Sequence, residues 1–389
     1  MDSRDLSALG DALDGADGYL IDADGEDPNQ RYVSGFDAPD PFHAVWTTNG
    51  VALLVSELEY SRARSEGRAA SVARFSDYDY RERVAESGRR AARAGVVADW
   101  LADRGVEAIR TPDRFPLGTA DRLRERGVAV EPDPDDAVER ARAVKTDREV
   151  DHVRAAQRAN EAAIERAAAL IREAEIVDGV LRHGGEALTS ERVRAEIERT
   201  LLDNGCGLDD TIVACGADAA DPHDRGSGPL RAGEPVVVDV FPRSKATGYH
   251  ADTTRTYVRG QPSETLAEWH RLTNEAREAA LAEVEAGTTG AAVHDAACDV
   301  YEDAGLPTLR ADPAAETGFI HSTGHGVGLA VHELPRVSPD GGELAAGNVV
   351  TVEPGLYDPD VGGVRVEDIV VVREDGHENL TTLPTGLDP

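Results

Sequence analysis

A chain of 389 residues has room for two domains and a large apolar core. Its 74 acidic against 41 basic side chains, a net charge of −33, exclude nucleic acid as a partner, because such a surface repels phosphate. The acids run the whole length, as expected of a carboxylate surface kept hydrated in a high-salt cytoplasm, and only Lys145 and Lys245 among the bases are lysines.

The polar start Met1-Asp2-Ser3-Arg4-Asp5 leads into no apolar stretch, and runs such as Val51–Val55 are too short to cross a bilayer. Three cysteines without metal spacing read as reduced residues of a cytoplasmic protein. The first part alternates strand-like and helix-like segments. Tyr19–Ile21 predicts a strand, and residues 44–48 and 51–55 flank Asn49-Gly50, a tight-turn dipeptide. A helix over residues 96–103 ends at Gly105 and leads into a strand at 106–109. Residues 1–135 are thus expected to form a small α/β domain, with Glu131–Asp136 as linker.

The second domain is expected over 146–389. Thr146 and Glu149 form a capping box, after which Val150, Val153, Ile164, Ala167 and Ile171 mark one helical stripe. Further helices are predicted around Val193–Leu201, Leu266–Val284 and Val293–Tyr301. β-Branched runs at 235–241, 250–258, 348–353 and 364–372 complete an α+β arrangement, helices covering one face of an antiparallel sheet.

Those four runs carry ionisable groups where core strands should be apolar. Asp239 sits among four valines, Asp252 opens an alternating polar face, Glu353 ends a strand, and Arg365 and Glu367 share a face at period two. Carboxylates converging from four strands repel one another unless cations neutralise them. Beside them stands His321-Ser322-Thr323-Gly324-His325-Gly326-Val327-Gly328-Leu329-Ala330-Val331-His332-Glu333, whose glycines would let the backbone approach a ligand or metal. Its spacing fits neither a dinucleotide loop nor a zincin helix.

Asp239, Asp252, the Gly324–Leu329 stretch with His332-Glu333, Glu353-Pro354-Gly355 and Arg365-x-Glu367-Asp368 stand in the order of a known family. The chain resembles the M24-type metallopeptidases related to prolidase, aminopeptidase P and methionine aminopeptidase. The resemblance implies a C-terminal pita-bread fold and, through Arg31–Phe36, a creatinase-type N-terminal domain. It makes Asp239 a ligand of one divalent ion, His325 and Glu353 ligands of the other, and Asp252 and Glu367 bridges between them. It also implies catalytic work for His223, His332 and Glu353, and substrate binding for His321 and Arg365. Arg365 could alternatively orient Glu367 or form a plain ion pair. The implied reaction is hydrolysis of Xaa-Pro bonds by a water held between two ions, in a homodimer acting on peptides with proline second. Mn or Co suits the oxygen-rich ligands, with Fe or Zn as alternatives. Two other outcomes are a same-fold hydrolase of an ectoine-type solute and a metal-free creatinase-like or binding module. One departure stands out: Asp252 follows Asp239 by 13 positions, about two more than the resemblance implies, with Phe241–Lys245 in the connection. The acidic composition predicts that the unfolding midpoint falls as salt is lowered from molar to physiological levels, which a melt in a KCl series checks.

Overall fold

The computed structural model describes Leu6 and residues 8–389, and the chain divides between Arg142 and Ala143 into two compact units. The first holds a six-stranded mixed sheet. Its strands are Gly18–Ala23 (β1), Phe42–Thr47 (β2), Gly50–Val55 (β3), Ser71–Arg74 (β4), Ala108–Thr111 (β5) and Ala129–Pro132 (β6), in the order β4-β3-β2-β1-β5-β6. The β2–β3 hairpin pairs Thr47 with Gly50, so Thr48-Asn49 form its two-residue turn and Gly50 opens the next strand at φ 105°. The helix Arg89–Ala102 (α1) buries Val96, Val97, Trp100 and Leu101 against Leu20, Val45, Leu54 and Ile109 of the sheet. Besides the turn, expected at Asn49-Gly50, two expectations shift here. The strand expected at 106–109 runs two residues later, and the expected linker contributes Glu131 and Pro132 to β6, an edge position that tolerates proline.

The second unit is α+β and stacks two helix pairs on two antiparallel sheets. Asp147–Glu173 (α2) starts at the Thr146–Glu149 capping box, and Ser190–Asp203 (α3) is capped by Thr189. Together they bury Ile164, Ala167, Ile171, Val193, Ile197 and Leu201 against Val213, Val236, Val238 and Val240. Those valines lie on Thr211–Cys215 (β7) and Pro235–Val240 (β8), which with Thr253–Val258 (β9) form the sheet β7-β8-β9. Glu264–Ala282 (α4) and Gly290–Asp303 (α5) cover the other sheet. Its strands are Gly324–Gly326 (β10), Glu333–Val337 (β11), Val349–Val352 (β12), Asp368–Arg373 (β15) and Gly376–Asn379 (β16), ordered β11-β10-β12-β15-β16, with Gly355–Asp358 (β13) and Gly362–Arg365 (β14) as a separate hairpin.

The expected run at 364–372 is therefore two strands. The chain breaks between Arg365 and Asp368, and in the break the Glu367 N–H donates to Thr254 O of β9 at 3.1 Å. That bond joins the two sheets where their strands end. A buried ionic knot backs the junction: Arg255 pairs with Asp368 at 2.9 Å, and Arg277 holds the other Asp368 oxygen. Arg255 also donates to the backbone carbonyls of Thr254, Glu367, Leu383 and Pro384, leaving no donor of this buried side chain idle. Among the described residues no helix is long and apolar enough to cross a membrane.

Candidate metal and catalytic site

The site lies where the strands of both sheets end. Asp239 comes from β8, Asp252 from just before β9, His325 from β10, Glu353 from just after β12, and Glu367 from the break between β14 and β15. Oxygens of Asp239, Asp252 and Glu367 all lie within 4.8 Å of one another. His325 joins the remaining pair: its Nε2 is 3.7 Å from Asp252 Oδ2 and 3.3 Å from Glu353 Oε1. The connection of 13 positions from Asp239 to Asp252 folds back on itself. Arg243–Ser244 pair with Cys206–Gly207, and the Ala251 N–H returns to Pro242 O at 3.1 Å, which brings Asp252 back beside Asp239.

The buried Arg365 guanidinium faces these carboxylates. Arg365 is 3 % exposed and donates to Asp239 Oδ2 at 2.7 Å, to the Tyr357 hydroxyl at 2.8 Å and to the Thr254 hydroxyl at 3.1 Å. Thr254 donates onward to Glu367 Oε2 at 2.8 Å. Arg365 thus grips Asp239 directly and reaches Glu367 through a hydroxyl. Arg365 and Glu367 meet on the one Thr254 hydroxyl, on the same side as expected, although the strand breaks between them.

Burial and mutual repulsion show in the proton affinities. Desolvation, then Glu367, Asp239 and Glu353, hold the Asp252 carboxyl far above its ordinary range. Desolvation, then Glu353 and Asp239, do the same to Glu367. Desolvation pushes Glu353 up to about 7, with Arg365 opposing. His325 and His332 are both lowered, first by desolvation. Asp239 Oδ1, buried, has no hydrogen-bond partner. Crowded carboxylates, an imidazole and an orphaned carboxylate oxygen fit hard or borderline divalent cations.

The expected outer residues divide into two groups. His321 Nε2 meets the Tyr357 hydroxyl at 2.9 Å, and desolvation followed by the Arg365 charge pushes its pKa down to about 3. His332 is exposed and packs edge-on against His325, ring centroids 4.2 Å apart. His223 is exposed and makes no ring contact with the carboxylates; the Pro222 carbonyl before it accepts from Arg365 at 3.4 Å. The glycines serve another purpose than expected. A Cβ on Gly324, Gly326 or Gly328 would lie 2.1–2.2 Å from Thr351 O, Leu334 O or Glu333 Oε1, so they admit neighbouring strands and a side chain, not a ligand. Sequence reasoning missed Thr254, Thr351 and Tyr357. Thr351 accepts from the His325 N–H at 3.0 Å and donates to Glu353 Oε1 at 3.2 Å. Thr254 and Thr351 each stand two positions from a ligand candidate on a strand, which was the available signal; Tyr357 had none.

Comparison with known proteins sets this geometry in context. Residues 151–374 match the family model for metallopeptidase family M24, more than half of the chain. The chain belongs to metallopeptidase family M24. Residues 12–156 of this peptidase match the creatinase/prolidase N-terminal domain. It is 29 % identical to an Xaa-Pro dipeptidase of Pyrococcus horikoshii over 365 residues, 92 % of this chain and 91 % of the other. It is 36 % identical to the probable dipeptidase PepE of Mycobacterium bovis over 255 residues, 65 % of this chain and 62 % of that one. Among solved structures the prolidase of Pyrococcus horikoshii superposes with a TM-score of 0.79 at 26 % identity, covering 98 % of this chain and 99 % of the other. The Xaa-Pro dipeptidase of Bacillus anthracis gives 0.80 at 25 %, covering 98 % and 96 %. The M24 peptidase therefore combines a creatinase-type first domain with a pita-bread second domain.

The raised carboxyls give a pH signature for the metal-free protein. A folded pKa above the unfolded one contributes stability at low pH that is lost as pH rises through the folded value. With Glu353 moving from 4.5 to about 7, and Asp252 and Glu367 raised too, chelator-treated protein should lose thermal stability as pH rises from about 4.5 to 7. Melting curves across that window check it, and Glu353→Gln should flatten the slope.

Proposed function

We propose that this M24 peptidase hydrolyses the bond between an N-terminal residue and proline, using two divalent ions. The observation that carries the reading is the buried group Asp239, Asp252 and Glu367, whose like charges and orphaned Asp239 oxygen call for cations. Asp239 would hold one ion, His325 and Glu353 the other, with Asp252 and Glu367 shared; Mn or Co suits this donor set, and Fe or Zn could substitute. Such ions supply Lewis acidity to the scissile carbonyl and a water of lowered pKa.

The chain's own groups do the rest. Glu353, which accepts from the Thr351 hydroxyl at 3.2 Å, would take a proton. His332 and His223, both exposed, would donate hydrogen bonds to the substrate carbonyl as negative charge develops. His321, the Tyr357 hydroxyl and Arg365 form one hydrogen-bonded row. Arg365 fixes the Asp239 carboxylate directly, and the row would offer the substrate a polar wall. Matches along most of the chain to proteins named Xaa-Pro dipeptidase favour dipeptides over longer peptides.

With Mn or Co added, the purified protein should release proline from an Xaa-Pro dipeptide faster than it opens an Xaa-Pro-Yaa tripeptide. Asp239→Asn should lower kcat by more than about a hundredfold. Proline release measured for both proteins, with and without chelator, checks this; full activity in chelator contradicts the metal requirement.

A further inference from the structure

The chain has 41 basic residues and only two are lysines, yet one of them is sealed in the interior. Lys145 Nζ lies 2.6 Å from Glu333 Oε1, and both side chains are 1 % exposed. Lys145 also donates to Ala143 O at 3.2 Å, and its backbone N–H bonds Gly347 O at 2.9 Å, so the ammonium is anchored from its own segment. A compact ammonium suits a closed site with two acceptors, where a planar guanidinium needs more room.

Glu333 follows His332 directly. Neighbouring residues at the start of a strand point to opposite sides, and here Glu333 turns into the interior while His332 is exposed beside His325. The other Glu333 oxygen accepts from the Ala330 N–H at 3.2 Å, and the carboxylate fills the space that a Cβ on Gly328 would need. The loop closes on itself through Gly328 N–H to Ala330 O at 3.0 Å, and it is tied to the segment bearing Asp252 by His250 N–H to Gly328 O at 2.8 Å. Lys145 thus holds from behind a carboxylate around which the whole Gly328–His332 loop is wrapped.

A buried ion pair is weak evidence for stability, since desolvation offsets most of the attraction. What it does well is hold one arrangement. We infer that the Lys145–Glu333 pair is a positioning device for His332, acting on the peptidase reaction without touching substrate or metal. The inference rests on the proposed role of His332 at the substrate carbonyl. A group displaced by about 1 Å in such a role costs up to about 10²-fold in rate.

The test uses the full-length, metal-loaded enzyme and an Xaa-Pro dipeptide. Lys145→Met alone strips the buried Glu333 carboxylate of its ammonium and can fail to fold, so the decisive variant is Lys145→Met/Glu333→Gln, which removes both charges and keeps side-chain volume. It should melt near the parent temperature, keep its metal content and lose about tenfold or more in kcat with KM little changed. His332→Ala should lower kcat strongly in the parent, and much less in the doubly substituted background, because the imidazole there is already misplaced. Multiplying losses, with His332→Ala costing the same in both backgrounds, overturn the positioning role and leave the His332 reading standing. An unchanged kcat for His332→Ala in the parent overturns the His332 reading, and the positioning role with it.

Discussion

Crowding of like charge in a buried place governs this molecule. Asp239, Asp252, Glu353 and Glu367 converge from strands of two sheets onto one volume, and Arg365 is a fixed cation among them. A fold does not bring four carboxylates together by packing alone, because each additional charge raises the cost of ionising the rest. The surroundings therefore do two opposed things. Hydroxyls of Thr254 and Thr351 and the guanidinium of Arg365 hold chosen oxygens in place, while Asp239 Oδ1 is left without a partner. A site built only for stability would satisfy every oxygen; this one is satisfied on its protein side and open toward its centre.

The architecture follows from holding that centre rigid. Each sheet is backed by its own helix pair, α2 with α3 and α4 with α5, so that strand ends carrying the carboxylates rest on packed valine layers. The two sheets meet at the Thr254–Glu367 backbone bond, and the Arg255–Asp368–Arg277 knot lies immediately behind it. Arg255 spends its donors on carbonyls beside two ligand candidates, which fixes backbone and side chain together. The Lys145–Glu333 pair does the same for the histidine loop.

Much of this could be read from the sequence, for a physical reason. An aspartate among four valines, or a glutamate ending a β-branched run, contradicts the local pattern, and such contradictions mark sites. The helical stripes of α2 and α3 and the capping box at Thr146 obey local rules and were legible as such. What stayed hidden depends on long-range geometry. The break at Val366-Glu367 carries no turn residue, so the run from 364 read as one strand, and the bond of Arg365 to Asp239 across 126 positions was not visible. Gly324, Gly326 and Gly328 read as a ligand-facing backbone, whereas their freedom admits Thr351, Leu334 and Glu333. Tyr357 and Lys145 act across 8 and 188 positions respectively, and no periodicity reports such a pairing.

Whether the carboxylate group holds ions decides the chemistry of the site. The direct measurement is the metal content of the purified chain after equilibration with Mn and removal of free ions, for the parent and for Asp252→Asn/Glu367→Gln. Two ions per parent chain, and their loss in the doubly substituted protein at unchanged helix content, are the predicted result. A parent chain that retains no ion, or a substituted chain that retains both, would contradict it.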